Sequence, residues 1–310
     1  MRKAGKSVTS FSNQTKQEIC GGIRKKAERR AFLTGILLGA RRFSAEEIVL
    51  QTECEALAGL FPQLIRETVP KLRYDTEFRG RSGKQPVWCF TVSGIPETAA
   101  LCKALDISQA QRSETVGTIP ETVFAAVLAG CFVISGSVTD PERGYHLEMV
   151  LPDAALAEAI RGRLTALQPT IPMKSTVRKG DTLLYLKQNE QICDALTYIG
   201  APNSSMALAE QQIYRSFRSL TNRRMNCDLA NIDKTIAAGS QQVQDIELIR
   251  DTIGLEQLPE NLQEIAAARL RDPEASLSDL GAQCSPPLSR SGVHHRMQRI
   301  SEIAKKLTGP

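Results

Sequence analysis

The chain has 310 residues but only three histidines, His146, His294 and His295, and none of its eight cysteines stands in a C-x-x-C pair. A zinc site needs clustered imidazole and thiolate ligands, so this scarcity excludes the common zinc-binding modules, and no cofactor is expected. A disulfide framework is not expected either. The chain is long, and the basic residues Arg2, Lys3 and Lys6 are not followed by an apolar run of signal-peptide type. Long apolar runs are missing throughout. The most apolar stretch, Val123–Val138, is shorter than the roughly 20 residues a membrane-spanning helix needs. A strong charge of one sign is missing too: 39 Lys and Arg against 34 Asp and Glu leave a net charge of +5. That excess permits a nucleic-acid partner without demanding one. What is present is a 42% apolar fraction, enough for real cores, and length for about two domains. The expectation is a cytoplasmic protein with reduced, mainly buried thiols.

The chain repeats itself. "RRAFLTGILLGARRFS", from Arg29, contains Leu33-Thr34-Gly35, and "VLAGCFVISGSV", from Val127, contains Leu128-Ala129-Gly130, 95 residues later. The same series of elements follows each. After the first copy, strand character runs from Phe43 to Thr52, and a helix from Glu55 to Val69 carries Leu57, Leu60, Leu64 and Ile65 at helical spacing. An extended run from Leu72 to Phe78 leads through an Arg/Gly/Ser turn, Arg79–Lys84, to a strand at Val87–Val92 and a helix opening at Pro96. After the second copy come a strand at Tyr145–Val150, a helix capped by Asp153 and an extended run at Lys174–Arg178. The Lys179-Gly180-Asp181 turn, a strand at Thr182–Lys187 and a helix ending at Gly200 complete it. Each half therefore reads α-β-β-α-β-β-α. A single Leu-x-Gly helix would be an ordinary core helix; two, each heading the same series, indicate duplication. Gly35 and Gly39 share a helix face, as do Ala126 and Gly130, so the two motif helices are expected to pack closely on each other.

The motif resembles LAGLIDADG, the signature helix of a family of DNA-cutting enzymes. The second copy matches at Leu128, Ala129, Gly130 and Gly136, the first at Leu33 and Gly35. In those enzymes the resemblance implies one metal-binding carboxylate from the end of each helix, as metal-assisted phosphodiester cleavage requires. The matching positions here are Ala40 and Ser135, and Arg41 and Arg42 follow the first. The shape is expected without the cleavage, so no catalytic or metal-binding residue is assigned. The rival reading is a metal-dependent endonuclease with displaced carboxylates, for which Asp140 and Glu142 are the nearby candidates.

Composition changes after Pro202. "RSFRSLTNRR" carries Arg215, Arg218, Arg223 and Arg224 without an acid and reads as a helix end or a linker near a phosphate backbone, or else as a solvated charged face. Leu229, Ile232, Ile236, Val243, Ile246, Ile249 and Ile253 give helical periodicity, and a helix opens after Pro259. Ser276 and Asp279 form a capping box for a short helix that ends before Pro286-Pro287, and Ser289 can cap the next. That last helix has an apolar stripe, Val293, Met297, Ile300, Ala304 and Leu307, opposite a basic side. A short helix, a tight turn and a longer basic helix make a helix-turn-helix, or blandly a helical hairpin; the polar opening Ser289-Arg290-Ser291 favours DNA. Base reading is assigned to Arg290, Ser291, His294 and His295, and phosphate contacts to Arg296, Arg299, Lys305 and Lys306, with Arg223 and Arg224 as further contacts.

The whole chain resembles the WhiA family of bacterial transcription regulators. The resemblance is carried by "SFSNQTKQEI", the two motif helices, "NRRMNCDLANIDKT", "IELIRDTIGLEQLP" and "SPPLSRSGVHHRMQRISEIA". It implies an α+β, duplicated, degenerate LAGLIDADG-like domain followed by an all-α helix-turn-helix domain like sigma-factor region 4. The expected boundaries are 1–210, with halves at about 12–110 and 111–205, a basic linker at 211–225, and the DNA-binding domain at 226–310 with its motif at about 275–308. The implied function is regulation of sporulation septation, or of cell division and chromosome segregation. Double-stranded DNA is the expected partner, with RNA polymerase or another regulator as a protein partner. The expected location is cytoplasmic and nucleoid-associated, with no membrane and no identified small-molecule ligand. A ligand-sensing or protein-docking role for the first domain stays open.

Overall fold

The computed structural model describes residues 9–80 and 86–308; the basic residues Arg2, Lys3 and Lys6 and most of the expected Arg79–Lys84 turn lie outside the described residues. The chain divides into two compact units, Met1–Arg215 and Ser216–Pro310.

Unit 1 opens with α1 (Phe11–Gly22), whose N-cap Ser10 accepts from the Asn13 N–H. The first repeat is α2 (Lys26–Leu38), β1 (Arg42–Phe43), β2 (Glu47–Thr52), α3 (Glu55–Thr68), β3 (Asp75–Arg79), β4 (Val87–Ser93) and α4 (Ile95–Ala104). A connecting helix, α5 (Arg112–Thr118), precedes the second repeat: α6 (Glu121–Ser135), β5 (Gly136–Val138), β6 (Leu147–Leu151), α7 (Ala154–Ala166), β7 (Lys174–Arg178), β8 (Asp181–Leu186) and α8 (Asn189–Tyr198). The α-β-β-α-β-β-α series is therefore observed twice. The sheets are antiparallel and correspond strand for strand, β1-β2-β4-β3 and β5-β6-β8-β7. Ile48, Leu50, Phe90 and Val92 turn inward from the first sheet, and Leu147, Met149, Leu184 and Leu186 from the second. They share one core with Phe32, Leu33, Ile36 and Leu37 of α2 and Phe124, Val127 and Phe132 of α6.

The continuous strand expected at Phe43–Thr52 is broken, because the Ser44 hydroxyl accepts from the Glu46 and Glu47 N–H groups and turns the chain into a hairpin. The helices α1 and α5 were not anticipated. Asp153 caps α7 by accepting from Leu156 N at 2.7 Å, and Gly200 takes the left-handed φ of 85° that ends α8.

Helix α9 (Pro202–Thr252) begins in unit 1, where the Glu18 carboxylate accepts from the Asn203 and Ser204 N–H groups at 2.7 and 3.0 Å. It is 51 residues long, so residues 211–225, expected as a linker, are helical. The stretch contains neither glycine nor proline and is rich in helix-forming Arg, Leu, Gln and Met, which explains the continuity. Its apolar periodicity is only partly a core signal: Ile246 and Ile249 are fully buried, whereas Leu229, Ile232 and Ile236 are more than half exposed. Unit 2 continues with a 3-10 turn at Leu255–Gln257, α10 (Glu260–Arg271), α11 (Leu277–Ala282) and α12 (Arg290–Leu307) around a separate core. No described helix is long and apolar enough to cross a membrane.

Candidate nucleic-acid interface

Helices α2 and α6 form the centre of unit 1, and glycine sets their distance. A Cβ added to Gly35 would lie 1.9 Å from the Val127 carbonyl oxygen, and one added to Gly130 would lie 2.1 Å from that of Phe32. The two approaches are reciprocal, as expected of duplicated helices. The Cys131 thiol crosses the seam and donates to Gly35 O at 3.2 Å.

The C-terminal ends of this pair are where the LAGLIDADG resemblance calls for carboxylates. Ala40 is buried and offers no ligand. The Ser135 hydroxyl donates back to Cys131 O at 2.7 Å, within its own helix. A cation that the sequence reading did not single out stands at the first of these ends instead. Arg112, from α5, donates to Leu38 O and Ala40 O at 3.1 and 2.8 Å. Its guanidinium stands 4.8 Å from the centre of the Phe43 ring and 3.6 Å from the Asp153 carboxylate. Burial pulls the Arg112 pKa below its ordinary value while Asp153 opposes the shift; an arginine so placed stays charged. A fixed cation thus closes the end of the first motif helix. Arg41 pairs with Asp181, and Arg42 lies 4.0 Å from Glu47.

The rival carboxylates sit elsewhere. Asp140 and Glu142 lie in the turn after β5, where Asp140 accepts from the Glu142 N–H at 2.8 Å. Together with Thr9, Gln14, Thr139 and Glu210 they line an open surface hollow of about 860 Å³. Among the described residues no group of three or more His, Cys, Asp or Glu is arranged to hold a metal ion.

In unit 2 the expected local chemistry is present. Ser276 and Asp279 make the reciprocal capping box of α11. Ser289 caps α12 by accepting from Gly292 N at 3.2 Å. The connection between these helices is tight: Leu288 N donates to Gly281 O at 2.9 Å, and a Cβ on Gly281 would lie 2.3 Å from Leu288 O. Only glycine permits that approach. The preceding loop is held by Arg269, whose buried guanidinium donates to Pro273 O and Ala275 O at 3.2 and 2.7 Å.

Helix α12 buries Val293, Met297, Ile300 and Ala304 and leaves the other side to solvent, with Leu307 partly covered. Arg290, Ser291, His294, His295, Arg299, Lys305 and Lys306 are exposed. The first three stand in the opening turns around the Ser289 cap, where the Ser291 hydroxyl meets that of Ser289 at 3.1 Å. Lys305 and Lys306 lie in the last turn. Arg296 differs: it donates to Asn261 O at 2.9 Å and ties α12 to the start of α10. Arg223 and Arg224 are exposed in mid-α9, away from α12 in sequence, and Arg223 donates to Ser219 Oγ at 3.2 Å.

Comparison with known proteins bears on both units. The model of the WhiA LAGLIDADG-like domain matches residues 124–218, and that of the WhiA C-terminal helix-turn-helix domain matches residues 221–304. A protein of Lachnoclostridium phytofermentans named "Probable cell division protein WhiA" is 32% identical over 96% of this chain and 99% of its own length. One of the same name from Moorella thermoacetica is 35% identical over 97% of this chain and 93% of its own. Among solved structures, full-length WhiA of Thermotoga maritima superposes with a TM-score of 0.59 at 24% identity, covering 96% of this chain and 99% of that one. That likeness shows the fold: a LAGLIDADG-like domain followed by a helical helix-turn-helix domain.

Proposed function

Because the chain belongs to the WhiA family, we propose that it is a sequence-specific regulator of transcription that binds double-stranded DNA and does not cut it. The observation that carries the reading is the polarity of α12. Its apolar stripe is spent on the unit 2 core, and its opening turns present Arg290, Ser291 and His294 to solvent. A helix so mounted enters the major groove with its N-terminal residues at base edges. Arg290 can fork onto a guanine edge. Arg299, Lys305 and Lys306 hold phosphates, and Arg223 and Arg224 add contacts from α9. Arg296, which also donates to Asn261 O, is a further phosphate-contact candidate. His295, exposed beside His294, completes the set of base-reading candidates.

The absence of cleavage is supported by Ala40 and Ser135 at the motif-helix ends and by Arg112 bound to the Ala40 carbonyl. The names of the relatives favour a role in cell division, with chromosome segregation or sporulation septation as its finer form. Such a protein works in the cytoplasm at the nucleoid, with RNA polymerase or another regulator as its protein partner.

The test is competition binding on specific and scrambled duplexes over a salt series. Arg290→Ala is expected to cost roughly 1–3 kcal/mol on the preferred site and to relax sequence choice there. Lys305→Ala with Lys306→Ala is expected to weaken all sequences about equally and to flatten the salt dependence, because fewer counterions are released. Equal loss on both duplexes for Arg290→Ala overturns the assignment.

A further inference from the structure

From Leu220 to Ala238 every residue of α9 is exposed. A helix this bare has no packing to offset its marginal intrinsic stability. Yet it holds large apolar side chains at its surface, Met225, Leu229, Ile232 and Ile236, each more than half exposed. They follow at spacings of 4, 3 and 4. Towards the N-terminus Thr221, Arg218 and the exposed Tyr214 continue the line at spacings of 4, 3 and 4 from Met225. At about 100° per residue all seven positions fall within about 80° of one another and form one stripe. The eleven-residue step from Tyr214 to Met225 and from Met225 to Ile236 keeps that stripe straight along the helix. Phe217 and Leu220, also exposed, lie roughly a third of a turn away and stay outside it. A contiguous apolar stripe left in water marks an interaction surface.

The stripe reads the same in both directions from Met225. A helix laid antiparallel across it, with Met225 at the centre, therefore brings Thr221 to Leu229, Arg218 to Ile232 and Tyr214 to Ile236, layer by layer. The charges agree with this direction. Residues 211–225 carry Arg215, Arg218, Arg223 and Arg224 and no acid, whereas residues 226–236 carry Asp228 and Asp233 with one Lys234. In an antiparallel pair each flank meets the same flank of its partner. Arg218, opposite Ile232 of the other copy, then reaches the neighbouring Asp233, and the two-fold makes the same pair again at the other end. Asp228 likewise falls opposite the arginine-bearing half. Among the described residues no ion pair or side-chain hydrogen bond engages Arg218, Asp228 or Asp233 within the chain. A parallel pair would instead set Arg218 against Arg218 inside the seam, which like charges oppose.

We propose that this stripe is the seam of a homodimer, in which α9 of a second copy lies antiparallel across it with Met225 at the two-fold axis. The dimer carries two copies of α12. On the DNA-binding reading above, that two-fold calls for target sites built from inverted half-sites.

The experiment is sedimentation equilibrium of the full chain over a range of concentration. No DNA is present, so the outcome is independent of the DNA-binding reading. The expected result is reversible association from 34.0 kDa to twice that mass. Ile232→Asp sets a charge in the seam and is expected to raise the dissociation constant about tenfold or more. Arg218→Asp and Asp233→Arg are each expected to raise it about tenfold, and the two together to return it to within about threefold of the parent, because the pair re-forms with its signs exchanged. All three positions are exposed, so circular dichroism of the variants is expected to match the parent. A chain that stays monomeric, a dimer indifferent to Ile232→Asp, or a double variant no tighter than the singles overturns the proposal.

Discussion

Replacing Gly130 by alanine tests the helix pair at the centre of unit 1. In an open helix this change is favourable by about 1 kcal/mol, because alanine is the better helix former. Here the new Cβ would lie 2.1 Å from Phe32 O and 2.8 Å from Ile36 N, both backbone atoms. Ordinary contact begins near 3.4 Å, so α2 and α6 would have to part by about 1.3 Å. A gap of that size removes much of the dispersion attraction along the seam, which is lined by Phe32, Leu33, Ile36, Val127 and Cys131. Overpacking of this kind costs about 3 kcal/mol at the upper end of its usual range. The net expectation is a loss of about 2 kcal/mol. Gly162 on α7 is the control: its Cβ meets nothing within 4 Å, so Gly162→Ala is expected to stabilise. The assay is urea unfolding of the full chain followed by tryptophan fluorescence. The chain's one tryptophan, Trp88, stands in β4 of unit 1, its ring tilted against that of Phe78 with centroids 5.5 Å apart, so the signal reports that unit. Adding Gly35→Ala to Gly130→Ala is expected to cost less than the sum of the two, since one separation relieves both clashes. A Gly130→Ala chain as stable as the parent, with Gly162→Ala behaving as stated, would refute the close packing of α2 on α6.

Gly281→Ala is expected to abolish specific DNA binding and lower the melting temperature of unit 2, because its Cβ would meet Leu288 O at 2.3 Å; unchanged binding and circular dichroism would contradict the tight α11–α12 connection. Supercoiled plasmid is expected to stay intact with magnesium or manganese, in gels run against a known nuclease. Cutting that disappears on Asp140→Ala would instead establish the displaced-carboxylate reading. Arg29 holds the Glu67 carboxyl below its ordinary 4.5 by a two-point hydrogen bond at 2.8 Å. The stabilisation from this pair is present above 4.5 and is lost as the pH falls through the lowered value, so Glu67→Gln should make acid unfolding slightly less steep. An unchanged acid limb would show the pair contributes nothing, as exposed pairs sometimes do.

Much of this fold was legible because its signals are local. Ile48, Leu50, Phe90 and Val92 alternate along their strands, and Leu33, Gly35, Leu128 and Gly130 mark the repeat without any knowledge of what they touch. The capping box of α11 and the stripe of α12 are likewise short patterns, and the structure bears both out. Long-range chemistry was not legible. Arg112 is more than 70 residues from the Leu38 and Ala40 carbonyls it binds, and Glu18 caps α9 from 185 residues away. Nothing in a window around either residue announces the partner. Helix α9 failed for a different reason. Periodicity detects a buried stripe, and from Phe217 to Ile236 the apolar side chains of this helix are exposed, so the pattern there is not a core signal.

The arrangement of α2 and α6 also shows that the packing of this scaffold does not depend on carboxylates at the motif-helix ends. The residues that pack the pair, Gly35 and Gly130, are not the residues that would hold a metal, Ala40 and Ser135, so loss of the second set leaves the first untouched. Carboxylates at the C-terminal end of a helix are unfavourable unless a cation accompanies them, because the helix already places partial negative charge there. An enzyme of this shape offsets that cost with its metal ions. Here Arg112 supplies the positive charge directly, bonded to the carbonyls of Leu38, the last residue of α2, and of Ala40, and paired with Asp153, the N-cap of α7. The substitution turns an end that would need a ligand into one that is satisfied by the protein itself. The exposed side of α12, where recognition is proposed, belongs to a separate unit with its own core.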